Sequence, residues 1–180
     1  LNRLHQKHFT IIRLQQVKDL FLFQCYTGLS FIDLQKLKAN NLHMDETGTA
    51  WIKTYRTKTG TPVNIPLLAP ALEILERYKV LHNRGSILPS ITNQKMNAYL
   101  KEIADICGIN KKLTSHIGRH SFSTSVTLAN GVSIEAVSKM LGHTNLNTTK
   151  IYARMLDSRV LDEMQNLQSK MDNKDQSKYV

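Results

Sequence analysis

Few of the 180 residues are cysteine, acidic or part of a long apolar run, and each shortage excludes something. The two cysteines, Cys25 and Cys107, both lie in apolar, helix-like surroundings. They read as reduced core residues, which excludes a disulfide framework and points to a cytoplasmic compartment. No apolar stretch approaches the ~18 residues of a membrane span, and no signal-peptide pattern opens the chain. An initiator Met is lacking too: the sequence opens at Leu1, so we expect a domain cut from a longer protein. No internal repeat or interdomain linker interrupts it. Acidic residues number only 14 against 24 lysines and arginines, a formal net charge of +10 with a pI near 9.7. That imbalance favours a polyanionic partner, most simply nucleic acid, because neutralised phosphates release counterions. A basic protein without such a role is the plain alternative.

What is present is a globular composition, 41% hydrophobic and 21% charged. A chain of this length buries roughly 70% of the surface it exposes when unfolded. Leu14, Val17, Leu20, Phe21 and Phe23 suit a strongly buried helix from about Leu14 to Tyr26, with Gly28 as its C-cap. Ser30 reads as the N-cap of a short helix reaching about Lys38, with Asp33 placed to close a capping box. From His43 to Leu67 the pattern changes. Turn signals at Asp45–Gly48 and Thr59–Gly60 bracket a run rich in Trp, Ile, Thr and Tyr, which predicts two or three antiparallel strands. Beyond Pro66 everything reads as helix: Ala71–Leu81, Asn93–Cys107, Thr114 or Ser115 to Ala129, Ser133 to Gly142, and Asn147 through Tyr152. An amphipathic tail carrying Val160, Leu161, Met164 and Leu167 follows Asp157. The expected fold class is mainly α with a small antiparallel β-sheet (α+β).

Two stretches concentrate residues able to do chemistry. "TSHIGRHSFS" sets His116 and Arg119 at i and i+3, on one helix face, where an Arg fork and an imidazole could clamp a phosphate. His116 and His120 also have the i, i+4 spacing of a metal pair, although the glutamate of a zinc-protease helix is missing. A structural histidine beside a surface arginine is the plain reading. "KMLGHTNLNTTKIYARML" ends a helix at Gly142, follows it with His143, and carries Tyr152 nine residues later. The overlapping stretch "VSIEAVSKMLGHTNLNTTKIY" also has the look of a helix-turn-helix, in which Tyr152 would be a core or DNA-backbone residue.

Four blocks in order, "LFQCYTGLSFIDLQKL", "YRTKTGTPVNIPL", "HIGRHSFST" and "LGHTNLNTTKIYAR", make the sequence resemble the tyrosine recombinases of the phage-integrase family. Among these it looks most like the integrases of bacterial mobile elements. The resemblance spans roughly Val17 to Tyr152 and implies the catalytic-domain architecture of that family. It also implies a chemistry: a tyrosine attacks a DNA phosphodiester, forms a 3′-phosphotyrosyl bond and releases a 5′-hydroxyl. A partner strand's 5′-hydroxyl then reverses the step, with no metal or cofactor required. Tyr152 matches the nucleophile, whose phenol needs activation at neutral pH. Arg119 matches the second family arginine, which holds non-bridging oxygens as charge builds. His116 matches a phosphate donor or a proton acceptor near the tyrosine, and His143 a further phosphate-contacting histidine. Lys58 matches the lysine that protonates the leaving 5′-oxygen; read alone, it is a solvated hairpin charge.

One position departs from the family. After "TGL" most members carry an arginine, the first of two gripping the phosphate, and here Ser30 stands instead. The bracing acid three positions on is present as Asp33. The enzyme could be inactive, a neighbouring cation could replace the arginine, or a slower step could be tolerated. Arg56 is the candidate replacement: two residues before Lys58, an extended strand would point both side chains to one face. A DNA-backbone contact or plain surface charge is the alternative for Arg56.

Further expectations come from the resemblance. Residues 1–180 would be a C-terminal catalytic domain, with a core over about 1–156 and a C-terminal helix and tail over about 157–180. The N-terminal DNA-binding domain would be absent from this chain. Double-stranded DNA is the expected partner, with a homo-tetramer on two synapsed sites and a monomer for the isolated domain. No membrane association is expected, and the location would be the bacterial cytoplasm, at the nucleoid. The C-terminal helix would dock on a neighbouring protomer or pack on its own domain. The rival from another class is a non-catalytic, helix-turn-helix-like DNA-binding module.

Overall fold

The computed structural model describes residues 1–82 and 86–153, together with Met164, Gln165 and Gln168. The predicted tail helix and the segment around Leu161 and Leu167 lie outside the described residues.

Helix α1 (Asn2–Gln6) leads into α2 (Ile12–Thr27), the centre of the molecule. Leu14, Val17, Leu20, Phe21 and Phe23 are all buried, as their spacing predicts. Helix α2 is buried around most of its circumference because it packs against α4 (Ala69–Arg77), α6 (Asn93–Ile106) and α7 (Ser115–Ser121). Its buried polar groups are all partnered, as the low dielectric demands. Asp19 accepts from Gln15, Arg77 and Tyr78, each at 2.9 Å. Gln24 donates to Leu29 O and accepts from Ser115 Oγ, tying α2 to the first turn of α7. Cys25 is buried, and burial pushes its thiol up to about 12; Cys107 is half-buried, and both are free thiols.

Helix α3 (Phe31–Gln35) precedes a three-stranded antiparallel sheet in the order β1 (Leu42–Met44), β2 (Ala50–Tyr55), β3 (Pro62–Pro66). Ile52 pairs with both Leu42 and Ile65. Ile52, Val63 and Ile65 point inward while Lys53, Tyr55 and Asn64 are exposed, the two-residue alternation of a half-buried sheet. After α4 come α5 (Lys79–His82), α6, α7, α8 (Ile134–Leu141) and α9 (Asn147–Ala153). A second small cluster, Phe122, Leu128, Val137, Leu141 and Tyr152, fills the space between α8, α9 and the end of α7. Among the described residues no helix is long and apolar enough to cross a membrane.

The α+β class holds, while several boundaries differ from expectation. Helix α3 stops at Gln35 rather than Lys38, since Gln35 turns aside to accept from Ile91 N. The helix expected over Ala71–Leu81 breaks at Tyr78, where Arg77 and Tyr78 both donate to Asp19. The long helix expected up to Ala129 is α-helical only to Ser121, then π over Phe122–Thr127 and 3₁₀ over Leu128–Asn130. Hydroxyls of Ser123, Thr124 and Thr127 donate back to the carbonyls of Arg119, His120 and Phe122, competing with regular helix bonds.

Candidate active site

The site begins where α2 stops. Gly28 adopts φ 68, and a Cβ there would lie 2.4 Å from the Phe122 ring. Only glycine lets the chain turn left-handed this close to another side chain. The turn brings Ser30 to the start of α3. Ser30 Oγ accepts from Asp33 N at 3.3 Å and donates to Asp33 Oδ2 at 2.6 Å. The cap forms as expected, but Asp33 does not return a bond to the Ser30 backbone. Its Oδ1 accepts instead from Thr57 N at 2.8 Å, which fastens the β2–β3 turn to α3.

Arg119, on α7, is buried beneath this turn and 6% exposed. Its Nη1 donates to Gly28 O at 2.6 Å, and its Nη2 to Leu141 O at 2.6 Å and to His143 Nε2 at 3.1 Å. A guanidinium has five N–H donors, so two remain without a partner among the described residues. Arg119 borders a cleft of about 180 Å³ that Ser30, Asn97 and His116 also line. Burial lowers the Arg119 pKa to about 10; the charge of Arg56 adds to the fall, and Tyr152 and Asp33 oppose it. It stays cationic at neutral pH.

Arg56 reaches the same place from the sheet. Its Nη1 donates to Leu141 O at 3.1 Å, so both guanidiniums meet at one carbonyl. Its Nε is buried and has no hydrogen-bond partner among the described residues. The stem runs past Gly142, where a Cβ would lie 3.3 Å from Arg56 Cβ and 2.7 Å from Val63 Cγ2. The strand argument for Arg56 and Lys58 fails, however. β2 ends at Tyr55 and Arg56 O accepts from Thr59 N and Gly60 N, so these residues form a turn rather than an extended strand. Arg56 is half-buried and points into the site; Lys58 is exposed at the tip. Among the described residues Lys58 makes no hydrogen bond or ion pair, and the structure does not bring it into contact with the others.

His143 follows the left-handed cap Gly142. Arg119 can only donate, so His143 Nε2 is the acceptor and Nδ1 carries the hydrogen given to Thr149 Oγ1, at 2.8 Å. Burial, then the charges of Arg119 and Arg56, lower the His143 pKa to about 4 and keep the ring neutral. Thr149 is fully buried one turn before Tyr152 on α9. Tyr152 is itself 7% exposed, within the Phe122–Leu141 cluster and in edge-to-face contact with the His120 ring. His116 is exposed at the cleft mouth on the same helix as Arg119, as the i, i+3 spacing predicts. The rings of His116 and His120 stand 6.1 Å apart. Among the described residues no group of three His, Cys, Asp or Glu is placed to hold a metal ion.

Ser30, His116 and Arg119 thus line one cleft, while Arg56 and His143 meet Arg119 at the Leu141 carbonyl and at Nη2. Asp33 bonds Ser30 and the Arg56–Gly60 turn; Tyr152 lies in the neighbouring Phe122–Leu141 cluster. Sequence reasoning missed Thr149, His120 as a neighbour of Tyr152, and the Leu141 carbonyl. For Thr149 a signal existed, since it lies three residues before Tyr152 and hence on the same helix face.

A mainly helical domain with a three-stranded hairpin sheet and two arginines meeting at one carbonyl beside His143 defines a class. The chain matches the phage integrase family over residues 9–159 and belongs to it. It is 32% identical over 153 residues to the tyrosine recombinase XerD of Listeria innocua, covering 76% of this chain and 49% of that protein. Among solved structures it is similar to the XerA recombinase, with a TM-score of 0.70 and 25% identity over 93% of this chain and 62% of that one. The integrase of transposon Tn1549, solved in complex with transposon right end DNA, matches at a TM-score of 0.61 and 17% identity, over 84% of this chain and 58% of that one. The chain spans about half the length of the curated relative it matches.

Proposed function

We propose that residues 1–180 form the C-terminal catalytic domain of a tyrosine-type site-specific DNA recombinase, the integrase of a bacterial mobile element. The observation that carries the reading is the buried Arg119, braced by two main-chain carbonyls, meeting Arg56 at one of them, bonded to His143, and bordering a cleft that His116 also lines. Two guanidiniums converging with donors to spare form a receptor for a phosphate. The net charge of +10 suits a duplex DNA partner.

In this reading the Tyr152 oxygen attacks the scissile phosphorus, loses its proton to a base such as His116, and forms the 3′-phosphotyrosyl bond. The phosphorus–oxygen bond to the 5′-carbon side breaks, and Lys58 delivers a proton to the departing 5′-oxygen. One phosphodiester is exchanged for another, so the step needs no external energy source. Arg119 holds the non-bridging oxygens as charge builds on them. His143, neutral and held in one tautomer by Thr149, accepts from Arg119 until a phosphate takes over that donor. Arg56 supplies the cation that Ser30 does not, while Asp33 braces the turn carrying Arg56 and Lys58. Lys58 sits on an exposed turn and reaches the phosphate only when DNA is engaged. The protein works as a homo-tetramer on two synapsed DNA sites, and the isolated domain is a monomer that binds DNA weakly and with strong salt dependence. Its place is the bacterial cytoplasm, at the nucleoid.

The test is a nicked suicide substrate, from which the released strand diffuses away. The full-length protein should accumulate a covalent DNA adduct on Tyr152, and Tyr152→Phe should give none. A DNA-binding protein that yields no adduct, even with Ser30→Arg, is instead a non-catalytic DNA-binding module. Cleavage abolished by a chelator would contradict the phosphotyrosine mechanism.

A further inference from the structure

The His120 ring lies beside Tyr152, yet no role above requires it. It follows Arg119 directly on α7, one turn beyond His116. Its ring centroid lies 4.7 Å from that of Tyr152, with the planes at 89°, an edge-to-face contact. Among the described residues neither ring nitrogen of His120 makes a hydrogen bond. The half-buried ring also borders a cavity of about 550 Å³ that Phe21, Leu113, Ile117 and Thr124 line. It is therefore not wedged in place by a full core, and its specific neighbour is the phenol.

We propose that His120 is a positioning residue: its ring, by edge-to-face contact, holds the Tyr152 phenol in the orientation from which the oxygen attacks. The inference rests on Tyr152 being the nucleophile. The physical need is plain. The phenol, carried on α9, rotates about two side-chain torsions. The ring belongs to the apolar cluster of Phe122, Leu128, Val137 and Leu141. A phenol free to turn sweeps its oxygen through an arc, and a reacting atom misplaced by about 1 Å costs on the order of 10²-fold in rate. His120 meets the phenol edge-to-face at 4.7 Å and limits that rotation. Burial, then the neighbouring His116, lower its pKa. The contact is ring against ring rather than nitrogen to oxygen, so shape and π-edge geometry carry it.

The experiment compares His120→Ala and His120→Phe in the full-length protein. One readout is single-turnover cleavage of the suicide substrate at saturating DNA, with DNA affinity measured separately. The other is the ¹⁹F resonance of 3-fluorotyrosine placed at position 152 without DNA. We expect His120→Ala to cleave on the order of 10²-fold more slowly at unchanged affinity, and to move or broaden the fluorine resonance. His120→Phe keeps a ring at the same place and should restore both. An unmoved resonance in His120→Ala overturns the inference, as does a His120→Phe variant as slow as His120→Ala, since an imidazole nitrogen would then be acting. Absence of any adduct from the unmodified protein overturns the nucleophile reading itself, and is distinguished from failure of the inference alone, in which adduct forms but the resonance does not respond.

Discussion

Arg56→Ala removes one of the two guanidiniums that meet at the Leu141 carbonyl. Without DNA the two cations repel each other, on the order of a few kcal/mol for unit charges at such close range and an effective dielectric near 20. The variant loses that repulsion and also a charged hydrogen bond of about 1.5–3 kcal/mol. These terms oppose each other at similar size, so folding stability should change by no more than about 1 kcal/mol. A phosphate in the cleft alters the balance, because both cations then attract the same anion. As charge develops in the transition state, losing one preorganised donor costs about 10²–10³ in rate. The signature is therefore slow cleavage by a protein of nearly unchanged stability. Single-turnover adduct formation on the suicide substrate measures the first, and thermal unfolding the second. Adding Ser30→Arg to Arg56→Ala should recover part of the rate, since position 30 lines the cleft that Arg119 borders, at a cost of about 1 kcal/mol for the lost helix cap. A wild-type cleavage rate from Arg56→Ala refutes the argument.

Arg119→Lys should abolish adduct formation and lower stability, because a lysine cannot serve Gly28 O, Leu141 O and His143 together; charged bonds to carbonyls are worth about 1.5–3 kcal/mol each, read by denaturant unfolding. Gly28→Ala places a methyl in the Phe122 ring and strains a left-handed backbone, so we expect a loss of about 2–4 kcal/mol in the same assay. His143 carries a pKa of about 4 in the folded protein against an ordinary 6.5. Between those values the unfolded chain binds the extra proton, so this group stabilises the fold above 6.5 and that contribution drains away as pH falls toward 4. His143→Gln should accordingly flatten the fall of Tm over that window, whereas an unchanged slope would show that His143 is not shielded.

Much of the frame was legible because it depends on local patterns. The spacing of Leu14, Val17, Leu20, Phe21 and Phe23 announces a buried helix, and Gly28 and Ser30 are read from capping chemistry. The hairpin follows from turn residues and alternation. What was not legible depends on partners distant in sequence. Arg56 lies near Arg119 through a turn held by Asp33 and through a close approach at Gly142, not through strand alternation. The break at Tyr78 answers to buried Asp19, and the π stretch after Ser121 to hydroxyls that donate back to the main chain. The Leu141 carbonyl could not be found from side chains at all.

That carbonyl has a consequence for how the site tolerates change. Leu141 closes α8, whose last carbonyls are free of intrahelical partners and form the negative end of the helix dipole. The acceptor shared by Arg56 and Arg119 is therefore encoded by where a helix stops, not by which residue stands there. Substitutions at position 141 that fill the same apolar space leave it intact. Moving Gly142 by one residue would erase it without touching a single charged group. A mutational scan scored by side-chain chemistry would pass over the element on which both cations rest, and an insertion scan through α8 would strike it at once.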